Sequence, residues 1–281
     1  DNREYDFLGT GEGYGLPYKF IFYGAALRLG SWAIGIGGSE PYHVEIEDSV
    51  FGTAKKIRVS SASIVLAKSF GKNLSVGVAG HYQTVSQSYQ DEFLNIDESL
   101  ESEGNFLSYG AIYRKNKFSV GVSLSEGAEY EVDKSKNDEL SGVVWFRDVA
   151  FPSKFSLGFS QQIDSDLLFV FDIDKYSALD NTILPGTGED GDLSAEEMRN
   201  TEHTVLHGGV EWRLGKGRRN EVLWRLGMYK EPKRFISAED RTHFTMGLEV
   251  RLGPAILSVA FDSAKNFKNN SAGFSLSFGK I

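Results

Sequence analysis

Bulky apolar residues alternate with small or polar residues along the C-terminal part of the chain. From 242 to 252 every second residue is bulky and apolar, whereas the positions between them hold residues such as Glu249 and Arg251. The alternation returns at 257–262 and 274–279. Because successive side chains of a β-strand point to opposite faces, each strand has one apolar face and one small or charged face. The pattern predicts a transmembrane β-barrel, whose apolar face contacts lipid and whose polar face lines the lumen.

Alternation along the whole chain predicts thirteen strands joined by connections of two kinds. The predicted strands are 17–29, 32–38, 56–70, 74–89, 106–115, 118–132, 140–162 with a kink at Phe151-Pro152, 167–176, 202–214, 221–230 and three within 242–281. Short connections near 30, 71, 116, 164, 217 and 254 alternate with long ones at 39–55, 90–104, 133–139, 177–200, 231–241 and 263–270. Bacterial barrels have this arrangement, with short periplasmic turns and long outer loops.

These strands form one predicted domain over 1–281, an all-β antiparallel barrel. Residues 1–16 are Gly-rich and polar and are predicted as an external loop, and 17–281 hold the barrel strands. A closed barrel of this type has an even number of strands, so we expect fourteen strands in the intact barrel. The first strand is then absent from this chain, or a missing N-terminal segment or a partner protein supplies it.

Composition excludes several classes of protein. The chain of 281 residues has no cysteine, and therefore no disulfide framework or thiol chemistry. A net charge of −9 without any basic run argues against nucleic-acid binding. The mean hydropathy of −0.28 is compatible with a membrane barrel, because half of each strand faces a polar interior. No apolar run reaches the roughly 18 residues that a spanning helix requires.

Three stretches of the sequence carry a resemblance to a known family. They are the segment from Leu16-Pro17 through Tyr23 to 32–39, the segment from Ile57 to Gly77, and Phe151-Pro152-Ser153-Lys154 with Gly158 and the hairpin 164–172. These stretches resemble strands of the FadL-type long-chain fatty-acid transporters of bacterial outer membranes. The order of the strands and the alternation of short and long loops are similar along the whole chain. The family's N-terminal hatch and first strand have no counterpart in this chain.

The resemblance implies an outer-membrane channel of a Gram-negative bacterium for the passive uptake of long-chain fatty acids or other hydrophobic small molecules. Membrane lipid and the hydrophobic ligand would be its partners. The resemblance also implies a lateral exit at a kink in the third strand, which corresponds here to Gly35, Gly37, Gly38 and Pro41. Glycine weakens a strand and proline donates no ladder hydrogen bond, so the stretch suits a kink. A strand that simply ends in a loop explains the same residues.

Eight charged residues of both signs are predicted on the lumen face of the later strands. They are Asp172, Asp174, Glu211, Arg213, Arg225, Glu249, Arg251 and Asp262. A polar network that braces the barrel interior accounts for them, because buried charges need partners. A ligand role is the alternative, in which Arg213, Arg225 or Arg251 holds a fatty-acid carboxylate in bidentate geometry.

No catalytic, metal or cofactor chemistry is expected. The five histidines are dispersed, and neither an HExxH motif nor a Gly-x-Ser-x-Gly elbow occurs. Two further functions stay open beside the hydrophobic-compound channel. One is a general diffusion porin, which the charged lumen favours, and the other is a structural barrel that docks partners through its long loops.

Overall fold

The computed structural model describes residues 22–48, 53–131, 149–179, 202–215, 220–232, 240–265 and 267–276, most of which lie in β-strands. The strands are β1 (Phe22–Leu29), β2 (Trp32–Asp48), β3 (Thr53–Phe70), β4 (Leu74–Asp91), β5 (Ile96–Lys115), β6 (Phe118–Ser125), β7 (Ala128–Tyr130), β8 (Val149–Phe151), β9 (Lys154–Gln162), β10 (Leu167–Tyr176), β11 (His203–Leu214), β12 (Asn220–Glu231), β13 (Arg241–Leu252), β14 (Ala255–Ala264) and β15 (Phe267–Leu276). Within these ranges no helix has the length and apolar character needed to cross a membrane. The predicted external loop 1–16 lies outside the described residues.

Thirteen of the strands form one antiparallel sheet whose spatial order follows the chain, from β1 to β6 and then from β9 to β15. β6 pairs with β9 because β7 and β8 form a separate two-stranded sheet. The strand number and the antiparallel pairing confirm the predicted fold. One end of the sheet, here called the turn end, carries the connections at 30–31, 71–73, 116–117, 163–166, 215–219 and 253–254. The opposite end is called the loop end.

Large apolar side chains cover the outward face of the sheet. On β13, Phe244 and Met246 point outward and are 64% and 44% exposed, whereas the neighbouring His243 points inward and is buried. The register partners of Met246, which are Leu226 and Phe261, are also exposed on the outward face. Such a continuous apolar belt is stable in contact with lipid hydrocarbon. In water it would be a large exposed hydrophobic patch.

Strands β2 to β5 continue past this apolar belt at the loop end. On β4 the outward residues change from Val78 and Tyr82 to Thr84 and Ser86, while pairing with β3 and β5 continues as far as Asp91. Beyond the belt the outward face becomes polar, and the inward face mixes polar residues such as Gln83 and Gln87 with the buried Val85. The period-two pattern that identifies a membrane strand therefore disappears, although the backbone pairing does not.

Three of the predicted long connections are wrong for this reason. The connections between β2 and β3, β4 and β5, and β14 and β15 span only 49–52, 92–95 and 265–266, instead of 39–55, 90–104 and 263–270. The alternation of connections between the two ends of the sheet is unchanged. Longer connections remain between successive strands of the large sheet at three places, which are β6 to β9, β10 to β11 and β12 to β13.

Two predicted strands, 118–132 and 140–162, are each interrupted. Residues 126–127 separate β6 from β7, and residues 152–153 separate β8 from β9. The proline in the second break donates no ladder hydrogen bond, as the predicted kink requires.

A close backbone approach explains the first break. A Cβ atom on Gly127 would lie 2.9 Å from the carbonyl oxygen of Phe151, so no larger residue fits without a shift of the chain. The two breaks face each other and release β7 and β8 from the barrel wall. Residues 132–148, which join these two strands, lie outside the described residues.

Strand β14 offers a matched test of the two faces, since Leu257 points outward and Ser258 points inward. We expect Leu257→Lys to destabilise the barrel by about 2–4 kcal/mol, because it places a charge against hydrocarbon. Ser258→Lys should change stability by less than about 1 kcal/mol. Urea unfolding in lipid vesicles, followed by tryptophan fluorescence, measures both variants. Equal destabilisation would contradict the assignment of the faces.

Candidate functional site

The lumen has two different sides. All eight predicted lumen charges face inward, and they lie on β10 to β14. We call the inward face of β9 to β14 the charged wall. The middle part of the opposite side, the inward face of β1 to β6, is called the small-residue wall because it presents Gly24, Ala26, Ala33, Gly35, Ser63, Ala67, Gly77, Ala79, Gly110, Gly121 and Ser123.

Arg225 is the centre of an ion-pair network near the turn end of the charged wall. Its Nε atom lies 2.9 Å from Glu211 Oε2, and its Nη2 atom lies 2.8 Å from Glu249 Oε2. Arg251 contacts the same Glu249 at 2.7 Å. Register explains the network: Arg225 pairs with Glu211 on one side and with Gly247 on the other. Because Gly247 has no side chain, the guanidinium can lie across β13 and reach Glu249.

Arg213 and Glu221 complete the network. Arg213 lies 3.2 Å from Glu211, and Arg251 also lies 3.6 Å from Glu221. Each arginine that the sequence suggests for a ligand carboxylate is therefore engaged by at least one glutamate. A fatty-acid carboxylate would have to displace a glutamate to bind here.

A second polar cluster lies nearer the loop end and contains residues that the sequence did not single out. The buried imidazole of His243 has Nδ1 3.0 Å from Asp262 Oδ1 and Nε2 3.3 Å from Glu231 Oε2. Tyr229 donates its hydroxyl to Asp262 at 2.7 Å, and its ring stacks on His243 with 4.1 Å between centroids. Arg241 contacts Glu231 at 3.1 Å. The imidazole is thus held by a carboxylate at each ring nitrogen.

Asp172 and Asp174 extend this cluster onto β10. Lys154 and His207 each approach Asp174 Oδ2 at 3.5 Å. Asp172 is the register partner of His207, and its carboxylate occupies the space above Gly158 where a Cβ would clash with it. Only strand register brings these histidines together with the acids, because in the sequence they are isolated. The sequence signal that could have identified these histidines is that both occupy inward positions, one on β11 and one on β13.

Metal ligation has no support from this arrangement. Among the described residues, no group of three or more histidine, aspartate or glutamate side chains is placed to hold a metal ion. The polar side chains of the charged wall instead contact one another.

The hairpin formed by β7 and β8 packs against the inward face of β3 to β5 near the loop end. Tyr130 is 1% exposed and belongs to a core with Val59 and Val85, and its hydroxyl donates to Gln83 Oε1 at 2.5 Å. Burial raises the pKa of Tyr130 to about 12. A Cβ on Gly104 would lie 3.0 Å from the Tyr130 ring, so glycine makes this approach possible. The hairpin therefore narrows the lumen at this level.

The candidate lateral-exit stretch contains a β-bulge. Register with β3 shifts between Ser39 and Tyr42, which places Pro41 in the bulge. Pairing continues on both sides, so the alternative in which the strand ends here is wrong. Glu40 forms a two-point ion pair with Arg58 of β3, at 2.9 and 3.0 Å. The strand is irregular at this place but stays attached to β3.

The three glycines of the same stretch face different sides. Gly35 and Gly37 face the lumen, whereas Gly38 faces outward. A Cβ on Gly38 would lie 2.5 Å from Cζ of Tyr23, so the tyrosine ring covers this glycine. The outward face is therefore packed beside the bulge, and on the lumen face a Cβ on Gly37 would lie 3.2 Å from the carbonyl oxygen of Tyr23.

Comparison with solved structures finds similar folds. The CymD monoaromatic hydrocarbon channel aligns with a TM-score of 0.62 and 13% identity, over 96% of this chain and 84% of its own. The toluene transporter TbuX of Ralstonia pickettii gives a TM-score of 0.60 and 12% identity, over 92% of this chain and 81% of its own. A FadL homologue from Pseudomonas aeruginosa gives 0.57 and 11%, over 88% and 70%. No protein-family model and no curated protein matches the sequence.

The order of the strands, the outward apolar belt and these alignments define the class, an antiparallel transmembrane β-barrel. Within that class the chain has the fold of the FadL-type hydrophobic-compound transporters. At such low identity the alignments establish the fold, and the function has to be argued from the chain's own residues.

Removal of Arg225 tests the ion-pair network. We expect Arg225→Ala to destabilise the barrel by about 1–3 kcal/mol, because two largely buried glutamates lose their shared partner while the guanidinium itself is partly exposed. Arg28→Ala is the control, since Arg28 is exposed and its Nε donates to the carbonyl oxygen of Gly30 at 3.2 Å; its effect should stay below about 0.5 kcal/mol. Urea unfolding measures both, and equal effects would contradict a bracing role.

Tyr130 tests the attachment of the hairpin. Tyr130→Ala should remove about 3–5 kcal/mol of packing between β7 and the wall, and Tyr130→Phe about 1 kcal/mol through the lost hydrogen bond to Gln83. Limited proteolysis should then cleave within 126–153 faster in the alanine variant than in the phenylalanine variant. Tyr113→Ala, on the outward face of β5 near the turn end, is the control. Unchanged cleavage in Tyr130→Ala would show that other contacts hold the hairpin.

Proposed function

We propose that the protein is an outer-membrane channel for the passive uptake of long-chain fatty acids or other hydrophobic small molecules. The observation that carries the proposal is the FadL-type fold with a continuous apolar belt outside and a lumen inside. Two of the similar structures are described as a monoaromatic hydrocarbon channel and a toluene transporter, which supports a hydrophobic solute.

The proposal orients the barrel with its turn end toward the periplasm, as in other bacterial barrels. Trp212 and Trp224 are register partners on the outward face near the turn end, and both are exposed. Trp32 lies at the same end, with Lys68 Nζ 4.5 Å from its ring. Aromatic rings with a nearby cation suit the interface between hydrocarbon and headgroups.

A solute would enter at the loop end and move through the lumen by diffusion. The small-residue wall offers it van der Waals contact over glycine and alanine residues, and the hydroxyl of Ser63 is already hydrogen-bonded to His81 at 2.8 Å. The charged wall is internally paired and so has little unbalanced charge to hold an ion. The hairpin of β7 and β8 narrows the entrance and would exclude large molecules.

Lateral exit at the bulge in β2 is part of the proposal. Gly35 and Gly37 weaken β2 beside the bulge, and Pro41 donates no ladder hydrogen bond there. An apolar molecule that leaves the lumen at this level enters hydrocarbon directly and avoids transfer into water. The ion pair between Glu40 and Arg58 would have to loosen during this step.

A general diffusion porin is the second candidate, because the charged wall is hydrophilic. A porin carries a steady ion current through an open aqueous lumen. The hairpin of β7 and β8 fills part of the lumen, and this favours the hydrophobic-compound channel.

Planar-bilayer conductance and cell uptake separate the two candidates. We expect no steady ion current, and we expect faster uptake of a radiolabelled long-chain fatty acid by Gram-negative cells that express the protein in place of their own transporter. A steady current without uptake would establish the porin instead. The Ser39→Cys/Ser61→Cys disulfide joins register partners beside the bulge and should slow uptake until it is reduced. Ser69→Cys/Ser75→Cys, across β3 and β4, is the matched control, and equal effects would argue against exit at the bulge.

A further inference from the structure

Within the described residues, the barrel wall has a notch where β5 and β6 part at the loop end. Their pairing stops at Ser108 and Ser125, while β5 continues to Ile96 with β4 as its ladder partner. Beyond 126–127 the chain turns inward to β7, whose Tyr130 packs on the lumen side of the wall. The upper part of β5 therefore forms one side of a gap that no other described strand fills.

A side chain closes the bottom of this notch. The backbone N–H of Leu107 donates to Glu126 Oε2 at 2.9 Å, and the backbone N–H of Glu126 donates to the carbonyl oxygen of Leu107 at 2.9 Å. Glu126 Oε1 also lies 3.5 Å from the hydroxyl oxygen of Tyr109. These contacts are exposed on the outward face. Exposed hydrogen bonds of this kind open more readily than a paired strand.

An outward-facing cavity of about 560 Å³ lies directly beside the notch. Gly80 forms its floor, where a Cβ would lie 3.8 Å from both Ile64 Cγ2 and Leu107 Cδ2. Tyr82 and Glu126 lie at its rim. The volume is within the roughly 300–1,000 Å³ that small-molecule sites occupy. The cavity thus has an apolar floor inside the belt and a polar rim at the upper edge of the belt.

We propose that this cavity binds the transported hydrophobic molecule at the membrane-side mouth of a passage between β5 and β6. The inference rests on the proposed channel function and names a different place on the wall from the bulge in β2. Exit at the bulge requires a paired ladder to open, whereas at the notch the pairing of the described strands has already ended. Among the described residues, the contacts of Glu126 separate the cavity from the gap.

The rim determines which molecule fits. Glu126 supplies a carboxylate at the rim, and Glu103 accepts a hydrogen bond from the hydroxyl of Tyr82 next to it. A ligand with an apolar body and one hydrogen-bond donor, such as a phenol, an alcohol or an amine, complements this site. A ligand carboxylate is repelled by the two glutamates. The cavity therefore selects donor-bearing hydrophobic molecules over free fatty acids.

Thiol protection tests the site directly, because the chain has no cysteine of its own. The Gly80→Cys thiol should react with N-ethylmaleimide in detergent, and saturating 1-naphthol should slow this reaction about tenfold by occupancy. Naphthalene-1-carboxylate should slow it less than about twofold, since the rim is acidic. Gly208→Cys is the control, because Gly208 also faces outward and has open space around it.

Two results of this experiment would overturn the proposal. Equal slowing at both positions would mean that the probe acts through the micelle. A Gly80→Cys thiol that reacts in detergent but not in phospholipid nanodiscs, with or without 1-naphthol, would mean that a membrane lipid fills the cavity.

Uptake of radiolabelled 1-naphthol by the same cells tests the passage. Gly80→Phe fills the cavity and should slow uptake about fivefold or more, as for a blocked gate, whereas Gly208→Phe should not. The Ser108→Cys/Ser125→Cys disulfide should slow uptake until reduction, and Ser69→Cys/Ser75→Cys should not. Uptake that is normal in Gly80→Phe would overturn the passage alone. No uptake of either probe by the unaltered protein would instead overturn the proposed channel function.

Discussion

Backbone hydrogen bonds inside hydrocarbon have to be made within the protein, because no water is present to replace them. The sheet meets this requirement along its interior, where each of its strands except β1 and β15 pairs with a neighbour on both sides. Its two irregular places, the bulge in β2 and the parting of β5 and β6, lie toward the loop end of the belt. At each place a side chain supplies the missing contact: Arg58 binds Glu40, and Glu126 accepts from Leu107.

The same constraint organises the charged wall. A charge that faces the lumen still lies close to hydrocarbon, and its neighbours across the strands supply its partner. Two clusters result, one around Arg225 and one around His243, and the register pair of Gly209 and Gly227 separates them. Concentrating the charges on β9 to β14 leaves the small-residue wall free for an apolar solute. The lumen therefore has a charged wall and a small-residue wall because opposite charges can pair only where neighbouring strands bring them together.

Sequence alone predicted the sheet well, because a belt facing lipid enforces period-two alternation. It predicted the inward direction of Asp172, Glu211 and Arg225 for the same reason. It failed where that reason stops: beyond the belt the outward residues become polar, and alternation no longer reveals the full length of the strands. It also failed at Gly127, since a single glycine in a strand gives no sign that the chain turns inward there.

The ion-pair partners of residues in the charged wall were harder to predict than the face of the sheet to which each side chain points. His243 meets Glu231 and Asp262 only because β12, β13 and β14 are aligned in one particular register. Nothing in the spacing of these residues along the chain fixes that register. The cavity over Gly80 is equally invisible in the sequence, because its flanking residues come from β3 and β5.

A sheet whose spatial order follows the chain has a consequence for how it forms. Nearly every contact between strands joins strands that follow one another along the chain, so most of the loops to be closed are short. Assembly can then proceed by adding one hairpin at a time to an existing edge, and each addition covers the previously unpaired strand. β7 and β8, which leave the wall, can dock only after β3, β4 and β5 have been laid down, so the lumen narrows only once that part of the wall exists.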